Sequence, residues 1–342
     1  MESEIIVGDT YTLEKGEKPT LKTIARLSGL AVPTVSRALN DAPDIKSATK
    51  VRVREIAAKI GYVPNRAGVR LRTGRTNVIS LVLSTQHDLT NHTGSLISAI
   101  AAAMQGTPFH MNVTPYFPND DIMKPIRYIV ETGSADAIIL NQVGPEDERV
   151  KYLMEHKFPF VTHGRSVWCD QHPYYDFDNE IVGELAMRKL AERGRKNILL
   201  IAPPRDQFYS KHMIDGSSAA AAELGVQLTT HPIITSDFPR IPLTDEVAKF
   251  LVKHPEIDGI ISASTSAAMA SAASLEKVGR ILGDDIDVFA KEAIPILEWF
   301  RPGILTVFED VTVAGAFVAR AAMQAVRQPD EPPMQFLEKP VF

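Results

Sequence analysis

Apolar residues repeat with a helical period through residues 20–40, in two short segments whose opposite faces are polar. The apolar faces are formed by Leu21, Ile24, Ala25 and Leu27 in the first segment and by Val35, Ala38 and Leu39 in the second. Between them, Ser28-Gly29-Leu30 has the length of a helix-turn-helix joint. Two interpretations fit this stretch alone: a helix-turn-helix that binds DNA, or an ordinary helical hairpin within a core.

A third helix and then a short segment of different character follow. Residues 47–60 carry a helical apolar stripe that stops at Gly61, so the head is predicted to hold three short helices. The next segment has the start signals Pro64 and Asn65 and the stop signal Gly74. A helix of about two turns does not persist alone. We therefore expect this hinge segment to fold only with a partner segment and a DNA duplex.

Leu71 is the apolar residue among the arginines of the hinge segment. On a basic helix that enters the minor groove, a leucine can wedge between base steps and kink the duplex. The alternative is that Leu71 packs against the core of the head.

From Thr76 onward, short apolar runs alternate with helical stretches. Near-continuous apolar runs are typical of parallel strands buried on both faces, and they lie at 78–83, 137–140, 158–162, 198–202, 257–262 and 286–290. The helical stretches lie near 94–105, 121–131, 146–156, 179–193, 211–224, 244–253 and 266–279. This alternation predicts an α/β fold with doubly wound parallel sheets, and the length of the region favours two lobes with a cleft between them. Ligands of such sheets bind beyond the carboxyl ends of the strands.

The charge of the chain is distributed unevenly. The net charge is −5, but residues 20–76 carry +9 and the remainder carries −14. A basic head on an acidic body indicates a polyanionic partner at the head. The single cysteine, Cys169, excludes internal disulfides, no apolar run is long enough to span a membrane, and no signal peptide precedes the head. We expect a cytoplasmic protein whose residues 1–18 form a disordered arm.

Taken together, these segments resemble the LacI/GalR family of transcription regulators. The resemblance is carried by TLKTIARLSGLAVPTVSRALN and GYVPNRAGVRLRTG in the first 74 residues, and later by ADAIIL, FPFVTHGRS, DNEIVGELAMRKLAERGRKNILLI and RPGILTVFEDVTVAGAF. It implies a homodimer that binds a pseudo-palindromic operator, with a periplasmic-binding-protein-like body that holds a small effector. The residues expected to contact DNA are Thr20, Val32, Pro33, Thr34, Ser36, Arg37, Asn40, Asn65, Arg66, Gly68, Leu71 and Arg72.

The resemblance also suggests domain boundaries. We expect a helix-turn-helix domain over 19–62, a hinge helix over 63–76 and an effector-binding and dimerisation domain over 77–342. Within that domain, lobe 1 is expected to comprise about 77–176 and 305–328, and lobe 2 about 177–304 and 329–342. No heptad tail of the kind that a coiled-coil tetramer needs is present, so a dimer is expected.

Effector-binding residues are expected at the strand ends: Asn91, His92, Thr93, Asn141, His163, Arg165, Tyr209, Lys211, Phe238, Ser264, Glu292 and Glu309. Amides, charges and an aromatic ring suit a polyol or saccharide. Three departures from the family pattern put the ligand in doubt: Ser264-Thr265 replaces an Asn-Asp pair, Glu292 an aspartate and Lys211 an arginine. Alternatively, His92 and His163 are structural histidines, and Arg165 pairs with an acid across the lobes.

Enzyme chemistry has little support in the sequence. The chain contains no phosphate-binding glycine loop, no HExxH, no GxSxG and no histidine spacing of a metal site, so neither a cofactor nor a metal is expected. The sequence therefore predicts a ligand-controlled transcriptional repressor, released from DNA by a sugar or disaccharide. The alternatives are a sugar-binding transport receptor, and a co-repressor-dependent regulator or activator that responds to a nucleobase or amino acid.

Overall fold

The computed structural model describes residues 13, 17–63, 68, 70, 74–85, 92–117 and 120–341. The chain forms two compact units, 1–76 and 77–342, called here the head and the body. Most of the predicted arm over 1–18 and most of the predicted hinge helix lie outside the described residues, as do Asn65, Arg66, Leu71, Arg72 and Asn91. Among the helices that the structure describes, none has the length and apolar character needed to cross a lipid bilayer.

Within residues 17–63 of the head, the structure has three helices, α1 (Leu21–Ser28), α2 (Val32–Leu39) and α3 (Ser47–Lys59), as predicted. Thr20 is the N-cap of α1, because its side chain accepts a hydrogen bond from Thr23 N at 3.1 Å. Gly29 ends α1 with φ +67°, a left-handed conformation that glycine adopts without strain. The three helices enclose one small core of Ile24, Ala25, Val35, Ala38, Val53, Ile56, Ala57 and Ile60.

The body contains two parallel sheets. Its strands are β1 (Val78–Ser84), β2 (His110–Tyr116), β3 (Ala137–Asn141), β4 (Phe160–His163), β5 (Tyr174–Phe177), β6 (Asn197–Ile201), β7 (Gln227–Thr230), β8 (Gly259–Ser262), β9 (Asp287–Glu292), β10 (Leu305–Phe308) and β11 (Gln335–Glu338). The first sheet has the order β11-β5-β4-β3-β1-β2 and the second has the order β10-β9-β8-β6-β7. Every pairing between these described strands is parallel, as predicted for doubly wound lobes.

Helices cover the faces of both sheets. They are α4 (Gly94–Ala103), α5 (Met123–Thr132), α6 (Glu148–Glu155), α7 (Asn179–Glu192), α8 (Phe208–Leu224), α9 (Arg240–Lys253), α10 (Thr265–Val278), α11 (Leu297–Phe300) and α12 (Val311–Arg327). Side chains of α4 and α12 share the core of the first lobe with β1 and β3. In the second lobe, α9 and α10 cover one face of the sheet, while α7 and α8 cover the other.

The predicted lobe boundaries were wrong at the C-terminal end of the chain. Strand β10, expected in lobe 1, pairs with β9 in the second sheet, with Leu305 opposite Phe289. Strand β11, expected in lobe 2, pairs with β5 in the first sheet, with Gln335 opposite Tyr174. The described chain therefore enters the second lobe after β5 and returns to the first after β10. Both crossings begin at the carboxyl end of a strand, β5 or β10. The carboxyl ends of the strands also border the cavity described below.

Helices α7 and α8 pack together unusually closely. A Cβ added to Gly183 would lie 2.4 Å from Met213 O, and one added to Gly216 would lie 2.0 Å from Glu180 O. Only glycine allows the two backbones to approach this far. The close packing fixes the N-termini of α7 and α8 beside each other, and residues at both of these N-termini line the cavity.

Candidate functional site

A cavity of about 530 Å³ lies between the two lobes of the body, at the carboxyl ends of their strands. Its lining is His92, Thr93, Asn141, Gln142, His163, Gly164, Asp176, Asn179, Gln207, Tyr209, Ser236, Asp237, Phe238, Pro239, Ala263, Ser264, Thr265, Ser266, Met269, Lys291, Ala293 and Glu309. The lining mixes amides, carboxylates, imidazoles and aromatic rings with few aliphatic side chains. This composition suits a polar ligand.

The structure brings most of the predicted effector residues together at this cavity: His92, Thr93, Asn141, His163, Tyr209, Phe238, Ser264 and Glu309. These residues come from both lobes and are distant in sequence. They meet because parallel strands present their carboxyl ends at the same edge of each sheet.

The prediction for Glu292 was wrong by one residue. Its carboxylate is buried and accepts hydrogen bonds from Ile296 N and Leu297 N, both at 2.7 Å, so it holds the start of α11. Successive residues of a strand point to opposite faces. The neighbour Lys291, which the sequence reading omitted, therefore faces the cavity.

Lys211 and Arg165 were also placed wrongly. The Lys211 side chain is exposed on α8 and pairs with Asp215 on the next helical turn, away from the cavity. Arg165 is held by Asp176, with 2.7 Å between Nε and Oδ2, and does not line the cavity. Both partners belong to the first lobe, so the alternative that Arg165 pairs with an acid across the lobes was wrong too. Its contact with the second lobe is to a histidine: the guanidinium lies 3.4 Å from His212 Nδ1.

Lys291 and Glu309 form a buried ion pair in the cavity. The ammonium lies 2.6 Å from Glu309 Oε2 and donates to Asn179 Oδ1 at 2.9 Å. Burial opposes ionisation of Glu309, but Lys291 and the two nearby imidazoles outweigh it and lower the pKa of this carboxyl group to about 2. Glu309 is therefore a carboxylate at neutral pH.

The two histidines beside this ion pair are neutral at the same pH. Burial and the adjacent His92 lower the pKa of His163 to about 3, and burial also lowers the pKa of His92. The two rings stack with centroids 5.4 Å apart. Asn141 Oδ1 lies 3.0 Å from His163 Nδ1 and accepts from Gln142 N, so the proton of the His163 ring belongs on Nδ1.

A metal ion is a possible alternative occupant of this cluster. The donor atoms of His92, His163 and Glu309 all lie within 4.8 Å of one another, and two imidazoles with a carboxylate form a donor set that zinc accepts. However, Glu309 already has a cation, Lys291, at 2.6 Å. A metal ion at this cluster would therefore be repelled by the Lys291 ammonium. The cluster is better suited to hydroxyl groups than to a metal.

Gln142 lies at the cavity in a left-handed conformation, with φ +57°. This conformation is unfavourable for a side chain other than glycine or asparagine. Buried Arg149 stabilises it, because its guanidinium donates to Gln142 O at 2.9 Å and pairs with Asp147 at 2.6 Å. The loop after β3 is thus held rigidly and directs the backbone of 141–142 towards the cavity.

In the head, α2 and its flanking residues carry the predicted DNA contacts. Pro33, Arg37 and Asn40 are exposed, whereas Val32, Thr34 and Ser36 are half-buried. Arg37 forms an ion pair with Asp44 of the following turn. Of the others, Thr20 and Gly68 are exposed, and Thr20 also caps α1.

That turn is anchored to the third helix. Asp41 adopts φ +59°, and its carboxylate lies 2.8 Å from Arg54 and 3.1 Å from Lys50. Hydrogen bonds and charge from Lys50 and Arg54 lower the pKa of Asp41. The turn therefore fixes α2 against α3 and leaves the polar face of α2 open.

Comparisons with known proteins agree with both units. Residues 79–311 match the family described as periplasmic binding proteins and sugar binding domain of LacI family, and residues 20–65 match bacterial regulatory proteins, lacI family. The chain belongs to the LacI family. Its relatives include the HTH-type transcriptional regulator AglR of Rhizobium meliloti, 30% identical over 93% of this chain and 90% of that protein. CelR of Thermobifida fusca is 24% identical over 92% of this chain and 94% of that protein.

Solved structures of LacI-type regulators share the fold. The transcriptional regulator CelR–cellobiose complex matches with a TM-score of 0.69 and 23% identity, covering 94% of this chain and 98% of that one. The lac repressor dimer bound to operator and the anti-inducer ONPF matches with a TM-score of 0.80 and 17% identity, covering 95% and 97%. The LacI-family chain is accordingly a DNA-binding transcription regulator and not an enzyme, which confirms the predicted class.

Several lining residues of this LacI-family body were missed from sequence. Asp176 lies in β5 and interrupts its apolar run, so the strand was not recognised, and Asn179 follows its end. Gln207 is the N-cap of α8. Lys291 directly follows the predicted strand 286–290, so a strand-end search one residue earlier would have found it.

Proposed function

We propose that this LacI-family regulator is a homodimeric repressor that binds a pseudo-palindromic operator and is released by a neutral saccharide. The observation that carries the ligand class is the charge balance of the cavity. Among the described lining residues, Lys291 is the single lysine or arginine, and Glu309 already neutralises it at 2.6 Å. A phosphorylated or acidic effector would bury a charge without a counter-ion, which is costly.

A neutral polyol has the complementary chemistry. The amides of Asn141, Gln142, Asn179 and Gln207 supply both donors and acceptors for hydroxyl groups. Phe238 and Tyr209 supply flat apolar faces on which the C–H face of a sugar ring can pack. A cavity of about 530 Å³ is within the usual range for small ligands and has room for two sugar rings.

The relatives support the same ligand class. One solved relative is a complex with cellobiose, and another is described as a probable maltose operon transcriptional repressor. Neither description names a nucleobase or an amino acid. No observation on this chain favours the alternative of a co-repressor-dependent regulator or activator.

The proposed mechanism links the cavity to the head. Lining residues come from both lobes, so a bound saccharide would stabilise one angle between them over another. A changed angle would disorder the hinge helix proposed over 63–76, and operator affinity would then fall. The helix-turn-helix domain is proposed to comprise 19–62, with α2 in the major groove and Leu71 as the minor-groove wedge. A DNA partner implies a cytoplasmic location.

Operator binding and ligand release test this proposal together. The full-length protein would select its own operator from a random duplex library, and fluorescence anisotropy would measure affinity as salt rises. Phosphate contacts predict a log–log slope of about −0.9 per contact. A flat salt response would overturn the DNA-binding assignment.

Ligand class is tested by adding compounds to the protein–operator complex. Cellobiose, maltose and raffinose are the neutral probes, and glucuronate, glucose 6-phosphate, adenine and arginine are the comparison set. We expect release by a neutral saccharide and no release by the charged sugars. Tighter DNA binding with adenine or arginine would instead establish the co-repressor alternative.

A further inference from the structure

Leu13 and Glu17, two described residues of the predicted N-terminal arm, contact the head. Leu13 is half-buried and packs against the small core that α1, α2 and α3 enclose. Glu17 is half-buried too, and its carboxylate accepts hydrogen bonds from the side chains of Thr23 and Arg26, both in α1. The segment that matches the family's head begins at residue 20, so both contacts come from outside it.

We propose that Leu13 and Glu17 form an N-terminal clamp that holds α1 in place and keeps Thr20 ordered for contact with operator DNA. The clamp belongs to this chain and not to the helix-turn-helix segment shared with the family. Glu17 is a positioning residue, because it acts through Thr23 and Thr20. The clamp depends on operator binding by the head and is independent of the ligand proposed for the cavity.

Helix α1 is short and needs contacts beyond its own backbone hydrogen bonds. It has eight residues, and a helix of that length is marginal in water on its own. Its first turn contains no acidic residue that could interact favourably with the helix dipole. Through its contact with Thr23, Glu17 places a negative charge beside that turn from outside the helix.

The N-terminal cap of α1 links Glu17 to Thr20. In the usual capping box, the third helical residue is Glu or Gln, and its side chain accepts from the backbone N–H of the N-cap residue. Here that residue is Thr23, whose hydroxyl accepts from Thr20 N at 3.3 Å and lies 3.0 Å from Thr20 Oγ1. The same hydroxyl donates to Glu17 Oε1 at 3.0 Å, which is closer than Lys18 O at 3.4 Å. Glu17 therefore orients the oxygen that completes the cap.

The second carboxylate oxygen of Glu17 extends the clamp along the helix. It lies 2.6 Å from Arg26 Nη2. Thr23 is in the first turn of α1 and Arg26 is in the last, and residues three positions apart lie on the same face of a helix. One carboxylate thus bridges both turns of α1, while Leu13 adds an apolar contact with the core.

An ordered Thr20 lowers the cost of binding DNA. Thr20 is exposed, caps α1 and is among the residues expected to contact the operator. Ordering a free side chain at an interface costs about 0.5–1.5 kcal/mol, and a contact that orders it beforehand removes that cost. Loss of the clamp should therefore weaken operator binding.

Simple electrostatics predicts the opposite sign. Glu17 neutralises Arg26 on a basic head, so removal of the carboxylate would strengthen the attraction of the head for phosphates. The direction of the change in operator affinity therefore distinguishes the clamp from charge repulsion.

Hydrogen exchange of the full-length protein measures the hold on α1 without DNA or ligand. We expect Glu17→Ala and Leu13→Ala each to raise the exchange rate of amides in 21–28 by about three- to tenfold, the range for loss of a charged hydrogen bond or a partly buried contact. Glu55→Ala and Val51→Ala are the matched controls, because both residues are exposed on α3. Unchanged exchange in either clamp variant would overturn the proposal.

Fluorescence anisotropy with the selected operator measures the effect on DNA binding. We expect Glu17→Ala and Leu13→Ala to bind about two- to tenfold more weakly than the wild type. Glu55→Ala removes the same charge and should bind equally well or more tightly. Glu17→Gln keeps an acceptor for Thr23 and Arg26, so it should retain part of the affinity that Glu17→Ala loses. Affinity of Glu17→Ala equal to or above that of the wild type would overturn the proposal.

The outcomes separate this inference from the proposed function. If the wild type binds operator and the clamp variants bind equally well, the inference is overturned and the DNA-binding assignment stands. If the wild type binds no operator, the DNA-binding assignment fails and the role of the clamp in operator affinity fails with it. The exchange rates still decide whether the clamp holds α1.

Discussion

Lys291 and Glu309 form a buried ion pair in the cavity, with 2.6 Å between Nζ and Oε2. The pair arises from the pairing of β9 with β10, which sets Lys291 opposite Val307 and Glu309 just beyond the strand end. Glu309 neutralises Lys291, the single lysine or arginine among the described lining residues, so the cavity does not attract an anionic ligand. The ligand class proposed for this protein follows from that neutralisation.

Replacing Lys291 with methionine should destabilise the protein. Glu309 would remain buried without its cation, and breaking a buried pair from one side costs about 3 kcal/mol. Urea unfolding would measure the loss as a lower midpoint. The double variant Lys291→Met/Glu309→Gln removes both charges and should regain most of the lost stability; a double variant as unstable as the single one would contradict the pair's role.

Stability should rise with pH between about pH 4 and 6.5. The pKa of His163 falls from 6.5 in the unfolded chain to about 3 in the folded one, and that of His212 falls to about 4, so the unfolded chain binds more protons in this window. Asp176 acts in the opposite direction, because burial raises its pKa from 3.8 to about 6. The pKa shift of Asp176 is smaller than that of His163, and burial lowers the pKa of a third histidine, His92, as well. The histidines therefore dominate the pH dependence of stability.

His163→Gln tests this dependence. The variant should reduce the slope of unfolding free energy against pH by up to about 1.4 kcal/mol per pH unit over this range, the value for one proton. Urea unfolding at several pH values would measure the slopes, with exposed His110→Gln as the control. Identical slopes for His163→Gln and the wild type would count against a neutral buried imidazole.

Asp44→Asn should increase affinity for DNA. Arg37, the one arginine on α2, is paired with Asp44 and is therefore partly neutralised on the surface proposed to face DNA. Removing the carboxylate frees the guanidinium and lessens repulsion of phosphates, so a gain of about two- to fivefold is expected, within the range for an exposed ion pair. Anisotropy at low salt would measure it. In an Arg37→Ala background most of this gain should disappear; an equal gain there would mean that Asp44 acts through general repulsion alone.

Gly216→Ala should disrupt the packing of α7 against α8. The added Cβ would lie 2.0 Å from Glu180 O, a backbone atom that moves only with its helix. Overpacking of this kind costs about 1–3 kcal/mol. Thermal unfolding would show the loss, while Ser218→Ala on the exposed side of α8 should change stability little. Because residues at the N-termini of both helices line the cavity, saccharide affinity should fall as well.

The strands found from sequence were those buried on both faces. Near-continuous apolar runs predicted β1, β3, β4, β6, β8 and β9 to within a few residues. Four of the missed strands, β2, β7, β10 and β11, are the edges of the two sheets. An edge strand is covered less completely, so its sequence need not be apolar throughout. In β2 every residue is exposed or half-buried. The fifth, β5, contains the charged residue Asp176, so its four residues do not form a continuous apolar run.

The sequence by itself determined the helices of the head, the two-lobed α/β class and eight of the residues that line the cavity. It could do so because helical period, strand burial and strand ends are local properties of the chain. Tertiary structure alone decided which lobe β10 and β11 join, that Lys291 rather than Glu292 faces the cavity, and that Lys291 pairs with Glu309. Those outcomes depend on strand pairing and on the face that each side chain takes, and a shift of one residue reverses the face.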